Sequence, residues 1–429
     1  MEPQKQALKN MSSSRRSNSI QSLDSDLLCR IFSLVGPFDL ARSSSVCKFW
    51  HNVINTSNIL KVRYCKQQHG SMGHFNLSAC PETSLQMHLE SFAMEQHKLS
   101  LQNGFVSVDQ WKGHSVGVKQ CRMKMGLILT GVGDKVMRIW SSQSYKCLEE
   151  YPVPDRVPLV DFDFDESKIV GLIGTRICIW RRHGGRSIFP SREGTFTSGL
   201  CMRYIDPEAV VGCEDGTIRV FDIYSRSCSR IIRTYAGSVM CLALTDQLIL
   251  SGSSLGSITV SGLSSGEHVA SLKSSYSTGG IRSLCFNRRS HLVFAGSSAG
   301  YSHCWDLRTM RPLWEKRVSP NVVYSLQHQT IDTSVLVVGG IDGVLRILDQ
   351  TSGEILRSYV IHGGNSGATS SGNKYGVIER KKAIRISEDT VIDNIPKHWR
   401  PPISCLAVGM KKVVTTHNGE LIRMWRFNK

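Results

Sequence analysis

An internal repeat is the feature that most constrains the fold of this 429-residue chain. Seven segments share a Gly or Asp turn followed by a strand of alternating apolar residues: GDKVMRIWSS, GTRICIWRR, EDGTIRVFDI, SLGSITVSGL, SAGYSHCWDL, IDGVLRILDQ and NGELIRMWRF. Aligned on Trp140, the equivalent positions are Trp180, Phe221, Ser261, Trp305, Leu348 and Trp425, and five of the six steps between them span 40 to 44 residues. A fixed period predicts one supersecondary unit per repeat, each packed on its neighbours.

A period of about 40 to 45 residues is that of a four-stranded propeller blade, so the chain is predicted to form an all-β propeller of seven blades over residues 105–429. A lone strand at 105–111 precedes the first full repeat, and the chain stops after a third strand. Pairing these two strands would close the ring and remove its exposed edges. An insertion at about 362–402 opens Gly/Ser-rich and turns basic. We expect a functional or disordered loop there, its basic run being either a solvated face or a weak nuclear signal.

The repeats resemble those of WD-repeat propellers, with a degenerate signature. A Trp-Asp pair survives at Trp305-Asp306, and a Gly-His pair at the right distance occurs at Gly113-His114. In the first repeat the residues that match the family's buried hydrogen-bonded tetrad are His114, Thr130, Asp134 and Trp140. Buried polar groups are tolerated when they bond one another. We therefore interpret these four as structural and not catalytic.

Composition limits the partners and the compartment. A net charge of +17 suggests acidic partners such as nucleic acid, phosphopeptides, acidic protein segments or anionic membrane, with simple solubility as the alternative. The 14 cysteines include no CxxC pair, and many alternate inside strand-like runs, as buried thiols do in a reducing compartment. There is no secretory signal and no run of the roughly 18 apolar residues that a membrane span needs. We expect the cytosol and/or nucleus, with a transit peptide as the alternative.

A short helical segment precedes the repeats, in the stretch LDSDLLCRIFSLVGPFDLARSSSVCKFW at residues 23–50. Asp24 is a plausible N-cap, with Leu23 and Leu28 placed as a hydrophobic staple. Gly36 and Pro37 are expected to end the helix, Gly36 in a left-handed conformation, and a second helix is expected to begin near Asp39. A unit of roughly 40 residues is too small to bury this much apolar surface alone, so we expect a partner to cover it.

This segment resembles the F-box over about residues 19–62, although Asp24 stands where the family usually has Pro. The resemblance implies docking on a Skp-type adaptor that links the protein to a cullin–RING ubiquitin ligase. The residues implied as adaptor contacts are Leu23, Leu27, Leu28, Ile31, Phe32, Pro37, Leu40, Val46, Cys47 and Trp50. An ordinary helical hairpin that caps the propeller is the alternative. The full division is then a disordered N-terminus at 1–18, the F-box at 19–62, a helical linker at 63–104 and the propeller.

Two other groups of residues resemble known sites. Cys65, His69, His74 and Cys80 have the atoms to bind zinc, but their spacing fits no common template, so we expect no metal and no cofactor. The box Trp305-Asp306-Leu307-Arg308 resembles the WDxR box through which other propellers join a different cullin ligase; in plain WD repeats the same residues shape a turn. Neither a phosphate-binding Gly loop nor a catalytic triad is present, so we expect no catalysis by the chain itself.

These features predict the substrate receptor of a Skp–cullin–F-box ubiquitin ligase, with a protein substrate held by the propeller. A non-ligase scaffold for a protein or RNA complex is the rival, and we do not expect nucleic acid or membrane as partners. Related F-box propellers use basic residues just inside the first strand of several blades. The positions here are Lys119, Met240, Arg282, Tyr324 and Ser404, of which two are basic. We therefore expect an acidic or phosphorylated segment, with Tyr324 as an aromatic anchor, on the face away from the adaptor.

Overall fold

The computed structural model of the chain describes residues 23–57, 59, 85–131, 135–153, 158–182, 184–188, 198–274, 279–362, 368–373, 376–387 and 390–428. The chain divides into two compact units, Met1–Gln96 and His97–Lys429. The segment predicted as disordered, 1–18, and the start of the predicted linker, 63–84, lie outside the described residues.

The first unit is helical. Its helices are α1 (Ser25–Leu34), α2 (Pro37–Ser44), α3 (Lys48–Thr56) and the first part of α4 (Leu85–Asn103). The predicted N-cap is confirmed, because the Asp24 carboxylate accepts a hydrogen bond from the backbone N–H of Ser25 at 2.7 Å. One buried cluster joins all four helices, and it consists of Leu28, Phe32, Leu40, Val53, Ile54 and Phe92.

Two local expectations for this unit were wrong. Gly36 is not left-handed, because its φ is −61°. It is the N-cap of α2, and Pro37 is the first residue of that helix. Proline suits that position because its fixed φ is helical and its missing N–H is not needed there. The apolar series after Asp39 forms two helices, since Cys47 is extended and starts α3, with its sulfur accepting from the backbone N–H of Trp50 at 3.5 Å.

Among its described residues, the second unit contains the last turns of α4 and thirty strands. Five sheets have four strands each, and their strands are β2–β5 (Gln120–Lys124, Leu127–Gly131, Val136–Ser141, Cys147–Pro152), β6–β9 (Leu159–Phe164, Lys168–Ile173, Arg176–Arg181, Arg186–Ile188), β10–β13 (Gly199–Ile205, Glu208–Cys213, Thr217–Asp222, Ser227–Arg233), β14–β17 (Val239–Leu244, Leu248–Ser253, Ser257–Gly262, His268–Lys273) and β18–β21 (Ile281–Asn287, Leu292–Ser297, Tyr301–Asp306, Arg311–Arg317). All neighbouring strands in these sheets are antiparallel.

A sixth sheet has ten strands. They are β1 (Phe105–Lys112), β22–β25 (Val323–Gln327, Val335–Gly340, Leu345–Asp349, Ile355–Ile361), β26 (Ala368–Asn373), β27 (Gly376–Ile386) and β28–β30 (Cys405–Gly409, Lys412–Thr416, Leu421–Asn428). Its order is β22-β23-β24-β25-β27-β1-β30-β29-β28, with β26 beside β27. A 3₁₀ turn, Ile392–Asn394, lies in the insertion.

The sheets follow one another around an axis. The first strand of each four-strand run packs against the first strand of the next, in the order β2, β6, β10, β14, β18, β22 and β28, and β28 packs against β2. We call these the inner strands. This arrangement is consistent with a WD-type β-propeller, and seven blades stays the prediction made from the repeat.

The predicted pairing of the first and last strands is confirmed. β1 pairs with β30 in antiparallel register over the full strand, from Phe105 opposite Asn428 to Lys112 opposite Leu421. Val108 and Trp111 of β1 are buried, so the strand contributes to the core as well as to the ladder. A segment from the start of the unit thus completes a sheet built from its end.

The basic insertion was predicted as a loop, and its described part instead contains two strands. β27 pairs with the closing strand β1 through 379–382 and with β25 through 383–386. It therefore joins the outer edges of two neighbouring four-strand runs. The run GVIERKKAIRI was misinterpreted because its charges indicate solvent, whereas a strand between two free sheet edges gains backbone partners on both sides.

A buried carboxylate holds these strands together. Asp109 of β1 is 2% exposed. It accepts a hydrogen bond from the Tyr145 hydroxyl at 2.8 Å and from Arg380 Nε of β27 at 3.2 Å, and it forms an ion pair with Arg426 of β30 at 3.5 Å. A buried carboxylate is tolerated when it is paired and hydrogen-bonded in this way.

We predict that β1 is needed for the stability of the second unit. A fragment of residues 97–429 should unfold cooperatively, and one of residues 113–429 should lose several kcal/mol of stability. Burial of a side chain such as Val108 or Trp111 contributes about 1.5–3 kcal/mol, and the Asp109 contacts are lost as well. Denaturant unfolding of the two fragments measures the difference. Equal midpoints and equal slopes would contradict the closing role of β1.

Candidate functional site

The first candidate site is the surface of the helical unit. The structure divides the ten predicted adaptor contacts by exposure. Leu27, Ile31 and Val46 are 50%, 40% and 62% exposed. Leu23, Pro37, Cys47 and Trp50 are half-buried, whereas Leu28, Phe32 and Leu40 lie in the core. These last three can support a contact surface but cannot form it.

Three further apolar side chains of this unit are exposed but were not among the predicted adaptor contacts. Leu34, Phe38 and Phe49 are 87%, 40% and 44% exposed. The signal for Leu34 was present, because residues three and four apart share a helix face and Leu34 continues the series of Leu27 and Ile31. The unit therefore exposes six large apolar side chains within residues 27–49, counted among the described residues.

The predicted tetrad of the first repeat is present for the three members that the structure describes. Nη1 of Arg138 lies 2.7 Å from Nδ1 of His114. Nε2 of His114 lies 2.8 Å from Thr130 Oγ1, and the indole of Trp140 donates to the same oxygen at 2.8 Å. Asp134 lies outside the described residues, and its role stays a prediction. The contact from Arg138 was not anticipated.

The last repeat contains a second network of this kind that the sequence did not reveal. Trp425 Nε1 donates to Thr415 Oγ1 at 3.0 Å, and Thr415 Oγ1 lies 2.8 Å from Nε2 of His417. Nδ1 of His417 is 3.2 Å from the carbonyl oxygens of Pro401 and Pro402. Burial, together with the nearby Arg423, holds the pKa of His417 well below its usual value. The histidine stays neutral and structural.

The second candidate site is a cavity of about 440 Å³ enclosed by the inner strands, which we call the central channel. Met240, Arg282, Tyr324 and Ser404 all line it, as the alignment of repeats predicted. Lys119 is exposed and is not one of its lining residues. The structure thus brings four of the five aligned positions together and leaves Lys119 out.

Four cations besides Arg282 and two carboxylates line the same channel and were not predicted from the sequence. The described lining includes the cations Arg122, Lys124, Arg203, Arg282 and Arg288 and the carboxylates Asp161 and Asp163. Both carboxylates are engaged by the wall itself. Asp161 pairs with Arg122 at 2.8 Å and accepts from the backbone N–H of Met202 at 3.0 Å.

Asp163, two residues further along β6, makes equivalent bonds. It pairs with Lys124 at 2.6 Å and accepts from the N–H of Tyr204 at 3.2 Å. Its pKa is lowered although burial opposes this, because Lys124, Arg122 and Arg203 favour the charged form. The carboxylates therefore fasten neighbouring inner strands, and the channel keeps an excess of positive charge.

A second cavity, of about 700 Å³, lies where several inner strands end. Its lining includes Met123, Met125, Phe164 and Met410. No residue predicted as a site from the sequence lies in it.

The WDxR-like box forms a closed turn. Arg308 donates to both carboxylate oxygens of Asp306, from Nε at 3.1 Å and from Nη2 at 2.9 Å, and its backbone N–H donates to the same carboxylate at 2.9 Å. Bidentate pairing of this kind is geometrically specific. It supports the interpretation in which Asp306 and Arg308 shape the turn.

In the part of the chain that the structure describes, no group of three or more His, Cys, Asp or Glu side chains is placed to hold a metal. The sequence candidates Cys65, His69, His74 and Cys80 lie outside that part. No helix among the described residues is long and apolar enough to cross a bilayer.

Comparison with known proteins identifies the class. The F-box domain profile matches residues 20–62. A curated Arabidopsis thaliana protein called an F-box/WD-40 repeat-containing protein is 54% identical over 432 residues, which cover 96% of this chain and 95% of that protein. The crystal structure of the computationally designed protein Ika8 matches with a TM-score of 0.54 and 20% identity, covering 74% of this chain and 98% of that one, and supports the fold alone.

The protein is thus an F-box domain followed by a WD-type β-propeller. The chain belongs to the F-box/WD-repeat family. Proteins of this class are generally non-catalytic adaptors, and neither similarity indicates an enzyme family.

Proposed function

We propose that this protein is the substrate-recognition subunit of a Skp–cullin–F-box ubiquitin ligase. The observation that carries the proposal is the exposed apolar surface of the F-box unit. Leu27, Ile31 and Leu34 share one face of α1 and are 50%, 40% and 87% exposed. Contiguous exposed apolar surface on a soluble domain indicates a protein–protein interface. The F-box family supplies the partner class, a Skp-type adaptor.

The central channel supports an acidic substrate. Its lining holds five cations against two carboxylates, and both carboxylates bond to the channel wall. Arg282 is exposed at the channel and forms no ion pair among the described residues. Tyr324 is 37% exposed and can supply an aromatic anchor beside it. We therefore propose that an acidic or phosphorylated protein segment binds at this channel.

The mechanism is proximity. Binding of the F-box to the adaptor and of the substrate to the propeller raises the effective concentration of a substrate lysine beside the ubiquitin-charged enzyme. The receptor itself makes and breaks no covalent bond. Its contribution is affinity and placement.

Two alternatives are distinguishable. A scaffold with no ligase role would keep the propeller surfaces but would not need the exposed face of α1. For recruitment to the other cullin ligase through Trp305-Asp306-Leu307-Arg308, the bidentate bond of Arg308 to Asp306 instead supports a role of these residues in shaping the turn.

We predict that Leu27→Asp combined with Ile31→Asp abolishes binding to a purified Skp-type adaptor. Both side chains are partly exposed, so the F-box should stay folded. Each substitution places an unpaired charge where roughly 1.5–3 kcal/mol of apolar burial is expected in the complex. Calorimetric titration of the full chain with the adaptor measures the loss.

Two controls separate contact from folding. Ser33→Asp adds the same charge to an exposed position of α1 off the apolar face and should preserve affinity. Leu28→Asp charges a fully buried position and should unfold the F-box, as circular dichroism would show. Full adaptor affinity in the Leu27→Asp, Ile31→Asp protein would overturn the proposed interface.

We predict that Arg282→Glu weakens binding of a fluorescent Asp/Glu-rich peptide and reduces the salt dependence of that binding, because a channel charge is reversed. Lys119→Glu is the matched control: the charge change is the same, but Lys119 does not line the channel. Fluorescence anisotropy at low and high salt measures both variants. Equal weakening by the two variants would contradict the channel as the binding site, and no change in either would exclude it.

A further inference from the structure

Two cysteines from opposite ends of the second unit meet where the ring closes. Cys121 of β2 and Cys405 of β28 belong to the same buried cluster. The sulfur of Cys405 lies 3.5 Å from the carbonyl oxygen of Cys121, although the two residues are 284 positions apart. This junction between β28 and β2 is called the closure seam below.

The strand register turns the two thiols toward each other. Cys201 and Cys241 occupy equivalent positions of two inner strands, and each side chain points at the next inner strand. The sulfur of Cys201 is 3.5 Å from the carbonyl oxygen of Val239, and that of Cys241 is 3.9 Å from the carbonyl oxygen of Ile281. Cys405 occupies this position and reaches β2.

Cys121 is placed one residue later in its strand. Gln120 is opposite Gly131, just as Cys241 is opposite Gly252, so Gln120 is the residue that corresponds to Cys241. Successive side chains leave a strand on opposite faces. The side chain of Cys121 therefore points toward β28. The side chain of Cys405 points toward β2, so both lie in the space between these two strands.

A neighbouring cation favours the thiolate at this site. Arg122 Nη1 is 3.8 Å from the Cys405 sulfur. The hydrogen bond from Cys121 and the charge of Arg122 hold the pKa of Cys405 below its usual value, although burial opposes this. The same hydrogen bond and burial raise the pKa of Cys121. One sulfur is thus prepared as a nucleophile, with a protonated thiol beside it.

Both cysteines border the central channel, and they are 0% (Cys121) and 5% (Cys405) exposed. Cys121 and Cys405 are among the residues that line this cavity of about 440 Å³, which is large compared with a peroxide molecule. The pair at Cys201 and Cys241 also lines the channel. Those two cysteines belong to different buried clusters, however, so their thiols do not share one space.

We propose that Cys121 and Cys405 are a redox modification site that forms a reversible disulfide across the closure seam when the protein meets hydrogen peroxide. The Cys405 thiolate attacks one peroxide oxygen, the O–O bond breaks and hydroxide leaves, which gives a sulfenic acid. The Cys121 sulfur gives its proton to hydroxide and displaces the sulfenic oxygen, so that an S–S bond forms. Overall two thiols are oxidised, one peroxide is reduced and two waters are released. The bond would link the first and last inner strands covalently.

The experiment treats the full-length folded protein with hydrogen peroxide, blocks the remaining thiols with iodoacetamide and maps the peptides without reductant. The expected result is a cross-linked peptide pair containing Cys121 and Cys405, an intact mass lower by two hydrogens, and full reversal by dithiothreitol. In the untreated protein, Cys405 should be alkylated more than tenfold faster than Cys201 or Cys241, because its pKa is lowered to about 6 whereas burial raises the pKa of the other two.

Variants assign the roles of the two sulfurs. Cys121→Ser should leave a sulfenic acid on Cys405 that dimedone traps, and Cys405→Ser should abolish both the cross-link and the dimedone adduct. Cys201→Ser with Cys241→Ser is the matched control and should leave the 121–405 cross-link unchanged. A wild-type protein that forms no 121–405 cross-link, or that cross-links 201 to 241 as readily, would overturn the proposal. Peptide mapping of the wild type needs no variant to fold.

Discussion

The antiparallel pairing of β1 with β30 is the interaction on which the second unit depends. Each four-strand run packs on its neighbours, but the last run has only three strands of its own, β28, β29 and β30, and takes its fourth from the segment that precedes the first repeat. Asp109 reinforces this pairing, because its buried carboxylate bonds to Arg380 on one side and pairs with Arg426 on the other. A β-sheet with a free edge is exposed to pairing with other chains. The closing strand covers the free edge of β30.

The repeat architecture could be predicted because each repeat has the same alternating strands and turn residues at a fixed spacing in the sequence. That spacing is typical of one type of repeat unit. The F-box could be predicted because many positions match at fixed spacing. Other features could not. The sequence does not show that Leu28 is fully buried while Ile31 is 40% exposed, because a short apolar helix in a small unit has too little pattern to separate core from contact surface.

β27 and the channel carboxylates show a second limit. A basic strand such as β27 is stabilised by the two sheet edges that it joins, and that information lies elsewhere in the chain. Asp161 and Asp163 were overlooked because their partners, Arg122 and Lys124, are 39 residues away in sequence. Alignment of repeats placed Met240, Arg282 and Tyr324 on the channel wall, where the structure has them. Lys119 has the same register position as Met240, but its side chain is exposed and does not line the channel.

The proposed receptor would need one surface for the ligase and another for the substrate, and the two units supply surfaces of different chemistry. The F-box unit exposes aliphatic and aromatic side chains, whereas the channel concentrates guanidinium and ammonium groups around a few engaged carboxylates. The first suits a permanent, largely apolar contact. The second suits a reversible contact in which charge determines the choice of partner.

The most direct measurement is co-purification of the full chain with a Skp-type adaptor and a cullin, followed by determination of the stoichiometry of the complex by size-exclusion chromatography with light scattering. The account predicts a stable complex with one copy of each component, joined through the adaptor and lost when the adaptor is omitted. A chain that elutes alone in the presence of both, or that binds the cullin without the adaptor, would contradict the account of this protein as a receptor of a Skp–cullin–F-box ligase.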